Sequence, residues 1–201
     1  MGTVKSLLLG MCFVLGACTS QTSTVQTTEK GTQWEWQNGT IVVKTPERPA
    51  GQKSVLGLTT PKLEAVRVGF VGLGMRGPGA VERFTYIPGT QVVALCDYEE
   101  ARADKCQELL KKASMPKAAV YSGDKGYEEL CKRDDIDLVY IAADWLHHFP
   151  VAKCALENGK NVAIEVPSAM NLQECWDLIN LSESTVSIAS FWRTAAMTGS
   201  R

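Results

Sequence analysis

From Val66 onward, short apolar runs alternate with longer stretches in which apolar residues recur at helical spacing. The runs near residues 66–71, 91–96, 138–143 and 161–166 predict strands. Between the second and third, residues 99–114 place Ala103, Cys106, Leu109, Leu110 and Ala113 at the spacings of one helical stripe. Residues 125–133 predict a short helix around Tyr127, Leu130 and Cys131. Pro150 suits the opening of a helix that runs through Ala152, Ala155 and Leu156 and stops near Gly159. Asn171 followed by Glu174 has the form of a capping box for a helix carrying Trp176, Leu178, Ile179 and Leu181. Strand and helix in strict alternation imply an α/β fold, a doubly wound parallel sheet with right-handed crossovers.

The turn after the first strand carries chemistry. Gly72, Gly74 and Gly77 stand at the spacing G-x-G-x-x-G, Pro78 fits the first turn of the next helix, and Asp97 ends the second strand 20 residues after Gly77. Strand, glycine turn, helix, strand and terminal acid follow the order of a Rossmann-type dinucleotide site. Gly72 permits the tight turn, Gly74 lets a pyrophosphate approach the backbone, and Gly77 brings helix and strand close. Asp97 is placed to accept hydrogen bonds from the adenosine ribose and to repel a 2′-phosphate, which predicts NAD as cofactor rather than NADP.

Residues before Val66 read differently. Lys5 precedes an apolar stretch, Ser6 to Ala17, shorter than the roughly 20 residues of a membrane-spanning helix and laid out like a secretory signal. It ends in Leu15-Gly16-Ala17-Cys18, which resembles a bacterial lipobox and predicts lipidation of Cys18. The expected location is the bacterial cell envelope, lipid-anchored, periplasmic or outer-membrane-associated. Thr19 to Lys30 is rich in Ser, Thr and Gln and suits a tether. Trp34, Trp36 and Ile41 to Val43 suggest a short extended arm against the domain or a neighbouring subunit, so a homo-oligomer is among the expectations. The boundaries are then 1–17 for the signal, 18–62 for tether and arm, and 63–185 for the dinucleotide domain.

Charge adds little. The chain has 21 Lys and Arg against 22 Asp and Glu, a net charge of −1, which gives no reason to expect nucleic acid as a partner. Beyond Cys12 and Cys18, the cysteines Cys96, Cys106, Cys131, Cys154 and Cys175 are odd in number and contain no C-x-x-C pair. Buried free thiols are expected, with neither a disulfide framework nor a metal site.

Two further loops leave strand C-termini, where ligands bind in open parallel sheets. One is Asp144-Trp145-Leu146-His147-His148, which holds both histidines of the chain; the other is Glu165-Val166-Pro167. The residue types alone leave the histidines open between a helix cap and a functional role, and Glu165 between a strand end and a group near the nicotinamide. With these positions in place, the run from Val66 to about Ser184 resembles the glucose-fructose oxidoreductase and inositol dehydrogenase family. There the second loop usually reads Glu-Lys-Pro, and here Val166 replaces the lysine. Val166, the Gly-Leu-Gly-Met-Arg-Gly turn, Trp145 to His148 and Glu174-Cys175-Trp176 together resemble glycoside hydrolase family 109, the NAD-dependent α-N-acetylgalactosaminidases.

That resemblance implies NAD contacts from Met75, Arg76, Asp97, Trp145, Leu146, His147, His148, Glu165 and Val166, beside the three glycines. It implies an α-N-acetylgalactosaminyl glycan as substrate, acted on by oxidation at C3, elimination, water addition and re-reduction. The family's catalytic residues belong to a C-terminal α+β substrate domain, which is missing from the 201 residues, so no catalytic residue is assigned. Residues 186–201 no longer fit the family. The codons open to Phe191 to Gly199 allow, in the frame that starts one base before Trp192, Leu-Glu-Asn-Cys-Cys-Tyr-Asp-Trp, close to the family's next strand, so a truncated, frameshifted member is expected. A periplasmic sugar dehydrogenase and a non-catalytic NAD-binding fragment are the alternatives.

Overall fold

The computed structural model describes residues 26–27, 33–44 and 46–192. The signal segment and Cys18 lie outside the described residues. The chain divides after Lys44 into two compact units. In the first, β1 (Gln26–Thr27), β2 (Gln33–Gln37) and β3 (Thr40–Val43) form an antiparallel sheet in the order β1-β2-β3. Where the apolar pattern predicts a tether and a single extended arm, the chain turns back on itself. Asn38 and Gly39 hold φ of 49° and 78°, the two positive values that a two-residue hairpin turn needs.

The second unit holds six parallel strands: β4 (Val66–Val71), β5 (Thr90–Asp97), β6 (Ala119–Ser122), β7 (Leu138–Ile141), β8 (Asn161–Glu165) and β9 (Ala189–Trp192). Their order is β6-β5-β4-β7-β8-β9. The chain winds outward from β4 to β6, crosses back, and winds the other way from β7, so the winding reverses between β4 and β7. A crevice opens there at the strand C-termini. One face packs on α1 (Gly77–Thr85) and α2 (Ala101–Lys112), with Val68, Phe70, Leu95 and Tyr140 meeting Ala80, Phe84, Cys106 and Leu110. The other packs on α3 (Gly126–Cys131), α4 (Trp145–Glu157) and α5 (Leu172–Thr185), with Val71, Val139, Ile141 and Ile164 meeting Leu130, Ala152, Leu156 and Leu178. Strands covered on both faces read as continuous apolar runs. The β4–β5 register shifts between Val68 and Gly69, which pair with Val92 and Ala94. That irregularity puts Val92 and Ala94 on opposite faces of the sheet although they are two residues apart.

Several elements differ from their sequence patterns. The edge strands β6 and β9 are additional to the four that the pattern predicts: the apolar run at Ala118 to Tyr121 is short and half alanine, and Ser190 interrupts the one at Ala189 to Trp192. β9 falls within the stretch expected to be out of frame, and its Ala189 to Trp192 pair in parallel with Val162 to Glu165. The α4 helix starts at Trp145, not at Pro150: Asp144 caps it by accepting the Leu146 N–H at 2.9 Å, and Pro150 lies inside it. Pro150 stands in the second turn, where its lack of an N–H forgoes one intrahelical bond, to the Leu146 carbonyl. Ala113 drops off the α2 stripe as an exposed C-terminal cap. Among the thiols, Cys96, Cys106 and Cys131 are buried as expected, but Cys154 is only partly buried and Cys175 is exposed on the first turn of α5.

The predicted cap of α5 forms. Asn171 Oδ1 accepts the Glu174 N–H at 3.1 Å, while Glu174 Oε2 reaches back to the Met170 N–H at 2.7 Å. At the other end of this helix the carboxylate of Glu183 is buried and accepts from Arg48 Nε at 2.8 Å and the Val55 N–H at 3.2 Å. It thereby ties the segment preceding β4 to α5.

Candidate functional site

The three glycines divide by cause. At Gly72, φ is +91° and a Cβ would lie 2.3 Å from the Ala143 nitrogen, so the β4 turn and the backbone after β7 exclude any side chain. A Cβ at Gly77 would lie 2.2 Å from the Gly72 carbonyl oxygen, which is the close approach of α1 to β4. Gly74 has no such reason. A Cβ there would meet only Arg102 Nη1, at 3.5 Å. The protein's own packing leaves room at Gly74, and a ligand that must approach the backbone explains the missing side chain.

The start of α1 fits an anion. Its N-cap is Arg76, with no side-chain cap bond, and its first turn contains no acidic residue. The first N–H groups of the helix therefore have no side-chain partner at the end where the macrodipole is positive. Met75 and Arg76 are exposed at the mouth of the turn.

Asp97 ends β5 beside this turn and is buried, with 6% of its surface exposed. Its Oδ2 accepts the Leu73 N–H at 2.6 Å, and its Oδ1 accepts the Glu99 N–H at 3.0 Å and Arg102 Nη1 at 3.3 Å. The carboxylate thus fixes the glycine turn and α2 to each other before any ligand arrives. Its charge and burial together push the neighbouring Cys96 thiol up to about 12, burial being the larger cause, so this cysteine stays a neutral, inert filler.

The two loops after β7 and β8 are joined by a histidine. His148 is buried; its Nδ1 lies 2.7 Å from the Pro167 carbonyl oxygen and its Nε2 3.0 Å from that of Ala143. Its ring is used to hold the loops in register rather than to face the crevice. His147 is exposed and sits on Asp144, with Nδ1 2.5 Å from Oδ2. Asp144 lies below the ordinary carboxylate range: desolvation opposes this, and the bonds from His147 and the backbone outweigh it. Trp145 and Leu146 are exposed on the first turn of α4, so the expected loop is a helix start instead.

Glu165 also turns inward. It is 7% exposed, and the Tyr140 hydroxyl donates to its Oε1 at 2.6 Å. Burial, and then this carboxylate, raise the Tyr140 hydroxyl above its usual range, so it remains a donor. Val166, by contrast, is half-exposed. The structure thus brings the glycine turn, Asp97, the start of α4 and Val166 to the C-terminal end of one sheet, while His148 and Glu165 serve beneath it. Sequence reasoning missed Arg102, Glu99 and Tyr140. The first two are in or just before the opening turn of α2, where charged residues usually signal nothing but solvent. Among the described residues no group of three or more His, Cys, Asp or Glu converges as a metal site.

Comparison with known proteins shows the family and the fold. Residues 66–191 match the model of the oxidoreductase family with an NAD-binding Rossmann fold. The chain is 79% identical over 186 residues to glycosyl hydrolase family 109 protein 4 of Phocaeicola vulgatus, covering 92% of this chain and 36% of that protein. It is 56% identical over 183 residues to glycosyl hydrolase family 109 protein 1 of Bacteroides thetaiotaomicron, covering 90% and 38%. The chain therefore spans just over a third of the length of these relatives.

Among solved structures, the myo-inositol dehydrogenase of Lactobacillus casei in complex with NAD(H) and myo-inositol aligns with a TM-score of 0.54 and 25% identity. The alignment covers 65% of this chain and 36% of that one. A mutant of KijD10, a 3-ketoreductase from Actinomadura kijaniata in complex with TDP-benzene and NADP, gives 0.54 and 25% over 62% and 37%.

Proposed function

Because the chain belongs to the oxidoreductase family with an NAD-binding Rossmann fold, we propose that it is the cofactor-holding part of an NAD-dependent glycosidase of the α-N-acetylgalactosaminidase type. The single observation that carries the cofactor half of this reading is Gly74, a glycine explained by ligand approach and by nothing in the protein's own packing. The glycosidase half rests on the 79% identity to glycosyl hydrolase family 109 proteins, and on Val166 standing where sugar dehydrogenases of this fold carry a lysine. A glycan bearing terminal α-N-acetylgalactosamine is the substrate under this reading.

When bound, NAD+ supplies reversible hydride removal at the sugar C3, which acidifies the C2 proton and permits elimination and water addition without a pair of carboxylates straddling the bond. The chain's own contribution is positioning. The uncapped start of α1 and the Gly74 backbone would receive the pyrophosphate, and Asp97 the adenosine ribose. His148 holds the Ala143 and Pro167 segments together, and the exposed Trp145, Leu146 and Val166 beside those segments would meet the nicotinamide end of the cofactor. Lipidation of Cys18 would place this activity at the cell envelope; a Cys18→Ser protein should then lose fatty-acid labelling in a Gram-negative host, and equal labelling of the two proteins would remove the anchor.

The test is a chimera that joins this chain to the downstream two thirds of the Phocaeicola vulgatus relative. It should hydrolyse aryl α-N-acetylgalactosaminide with bound NAD+ and no net NADH, and in D2O the released sugar should carry deuterium at C2. Hydrolysis without C2 exchange contradicts the mechanism. Accumulation of NADH in step with product replaces the glycosidase by a sugar dehydrogenase.

A further inference from the structure

No spacing in the sequence pairs the cysteines, but the fold brings two of them together. Cys131 is the last residue of α3 and is fully buried; Cys154 lies on α4, partly buried and packed against the same core cluster. Their side chains are hydrogen-bonded to each other across the α3–α4 contact. Cys154 stands in the third turn of α4, whose first turn carries Trp145 to His148, so the pair lies away from the dinucleotide crevice. Cys106 is packed on the opposite face of the sheet, and Cys175 is exposed on α5.

The two sulfurs differ chemically. The Cys131 S–H donates to Cys154, and this bond, together with burial, holds the Cys131 thiol above its ordinary range. The same bond holds Cys154 below its ordinary range, against desolvation and the charges of Glu128 and Glu157. Asn158 Nδ2 supplies a further donor 3.9 Å from the Cys154 sulfur. The partly exposed sulfur is thus the one that ionises, and the buried one stands behind it. An accessible thiolate backed by a second thiol is the arrangement of an attacking and a resolving cysteine. Cys96 shares the cluster but is buried and held neutral, so it does not compete as the nucleophile.

We infer that Cys131 and Cys154 are the site of a disulfide that staples α3 to α4, formed by exchange with a small disulfide such as oxidised glutathione. The Cys154 thiolate, its proton gone to water, attacks one sulfur of the reagent. The reagent's S–S bond breaks, one glutathione thiolate leaves, and a mixed disulfide stands on Cys154. The Cys131 thiol then loses its proton and attacks the Cys154 sulfur, expelling the second glutathione thiolate. Two protein thiols are oxidised, one glutathione disulfide is reduced to two thiols, and the two protons released end on those thiols. The bridge closes a loop that includes β7, which restricts the unfolded chain and so favours the folded one. Lipidation at Cys18, proposed above, would put the pair in a compartment where disulfides persist.

The experiment exposes the folded, fully reduced chain to oxidised glutathione and follows intact mass, a tryptic map under non-reducing conditions and the melting temperature. The product should have lost the mass of two hydrogen atoms, and its map should hold a new peptide that links α3 to α4. It should melt about 5 °C or more above the reduced chain. Cys154→Ser and Cys131→Ala should form no such link and show no such rise, whereas Cys175→Ser should behave as the unsubstituted chain. In Cys131→Ala, glutathione should remain on Cys154, a readout that a mere loss of packing would not produce. A lasting glutathione adduct on Cys154 of the unsubstituted chain, a link between any other two cysteines in its place, or no reaction overturns the inference. A Cys131–Cys154 link that leaves the melting temperature unchanged or lowers it overturns the staple.

Discussion

Gly74 and Gly77 are three residues apart and have the same side chain for opposite reasons. A methyl on Gly77 would press on the Gly72 carbonyl oxygen at 2.2 Å, a backbone atom that cannot turn aside, whereas a methyl on Gly74 meets only the tip of Arg102. Gly77→Ala should therefore destabilise the fold by about 3 kcal/mol or more, as overpacking against backbone does. Gly74→Ala should leave the melting temperature nearly unchanged. Thermal denaturation of both proteins checks this, and a large loss of stability in Gly74→Ala would mean that the space beside it is not free. The Tyr140 hydroxyl offers a second residue-level test. Its bond to Glu165 is buried, so Tyr140→Phe should cost about 1.5–3 kcal/mol in chemical denaturation, the range for a hydrogen bond to a charged group.

At the scale of elements, two carboxylates tie the sheet and its surroundings together, and both titrate low in the folded protein. Asp137, at the start of β7, accepts from Arg67 N at 2.8 Å, Nε at 2.9 Å and Nη2 at 2.6 Å, so the Arg67 guanidinium holds it below the ordinary range. Glu183 on α5 is lowered by its bond from Arg48. A folded-state value below the unfolded one means that the stabilisation is present above the ordinary carboxylate range and is lost as pH falls through the depressed folded value. Unfolding free energy should thus be flat near neutrality and decline on acidification below about pH 4. Asp137→Asn and Glu183→Gln should each weaken the acid dependence; denaturation curves between neutral and acid pH that coincide for all three proteins would show that other groups govern it.

The elements also show what a sequence carries. The central strands were legible because burial on both faces makes them apolar throughout, and the glycine turn and Asp97 were legible because ligand geometry fixes their spacing. Among the described residues β6 pairs on one side only, and its side chains are partly buried at most, so its pattern is weaker than that of the central strands. The start of α4 was misread because Pro150 is a stronger local signal than Asp144, although the aspartate makes the cap. No local pattern shows that His148 and Glu165 turn inward, since their partners Pro167 and Tyr140 lie 19 and 25 residues away in the chain.

For the whole molecule, the reversal of winding between β4 and β7 brings the glycine turn, Asp97 and the start of α4 to one end of the sheet, and a dinucleotide is the ligand that those parts fit together. The 201-residue polypeptide should hold the cofactor without hydrolysing aryl α-N-acetylgalactosaminide, because its match covers only 36% of its family 109 relative. The most direct measurement is a calorimetric titration of the purified chain with NAD+, repeated on Gly74→Ala at matched stability. The account predicts one NAD+ per chain and a weakening of at least about tenfold, or 1.4 kcal/mol, in the variant. Equal binding by both proteins, or none by the unsubstituted chain, would contradict the assignment of Gly74 as the place where the cofactor meets the backbone.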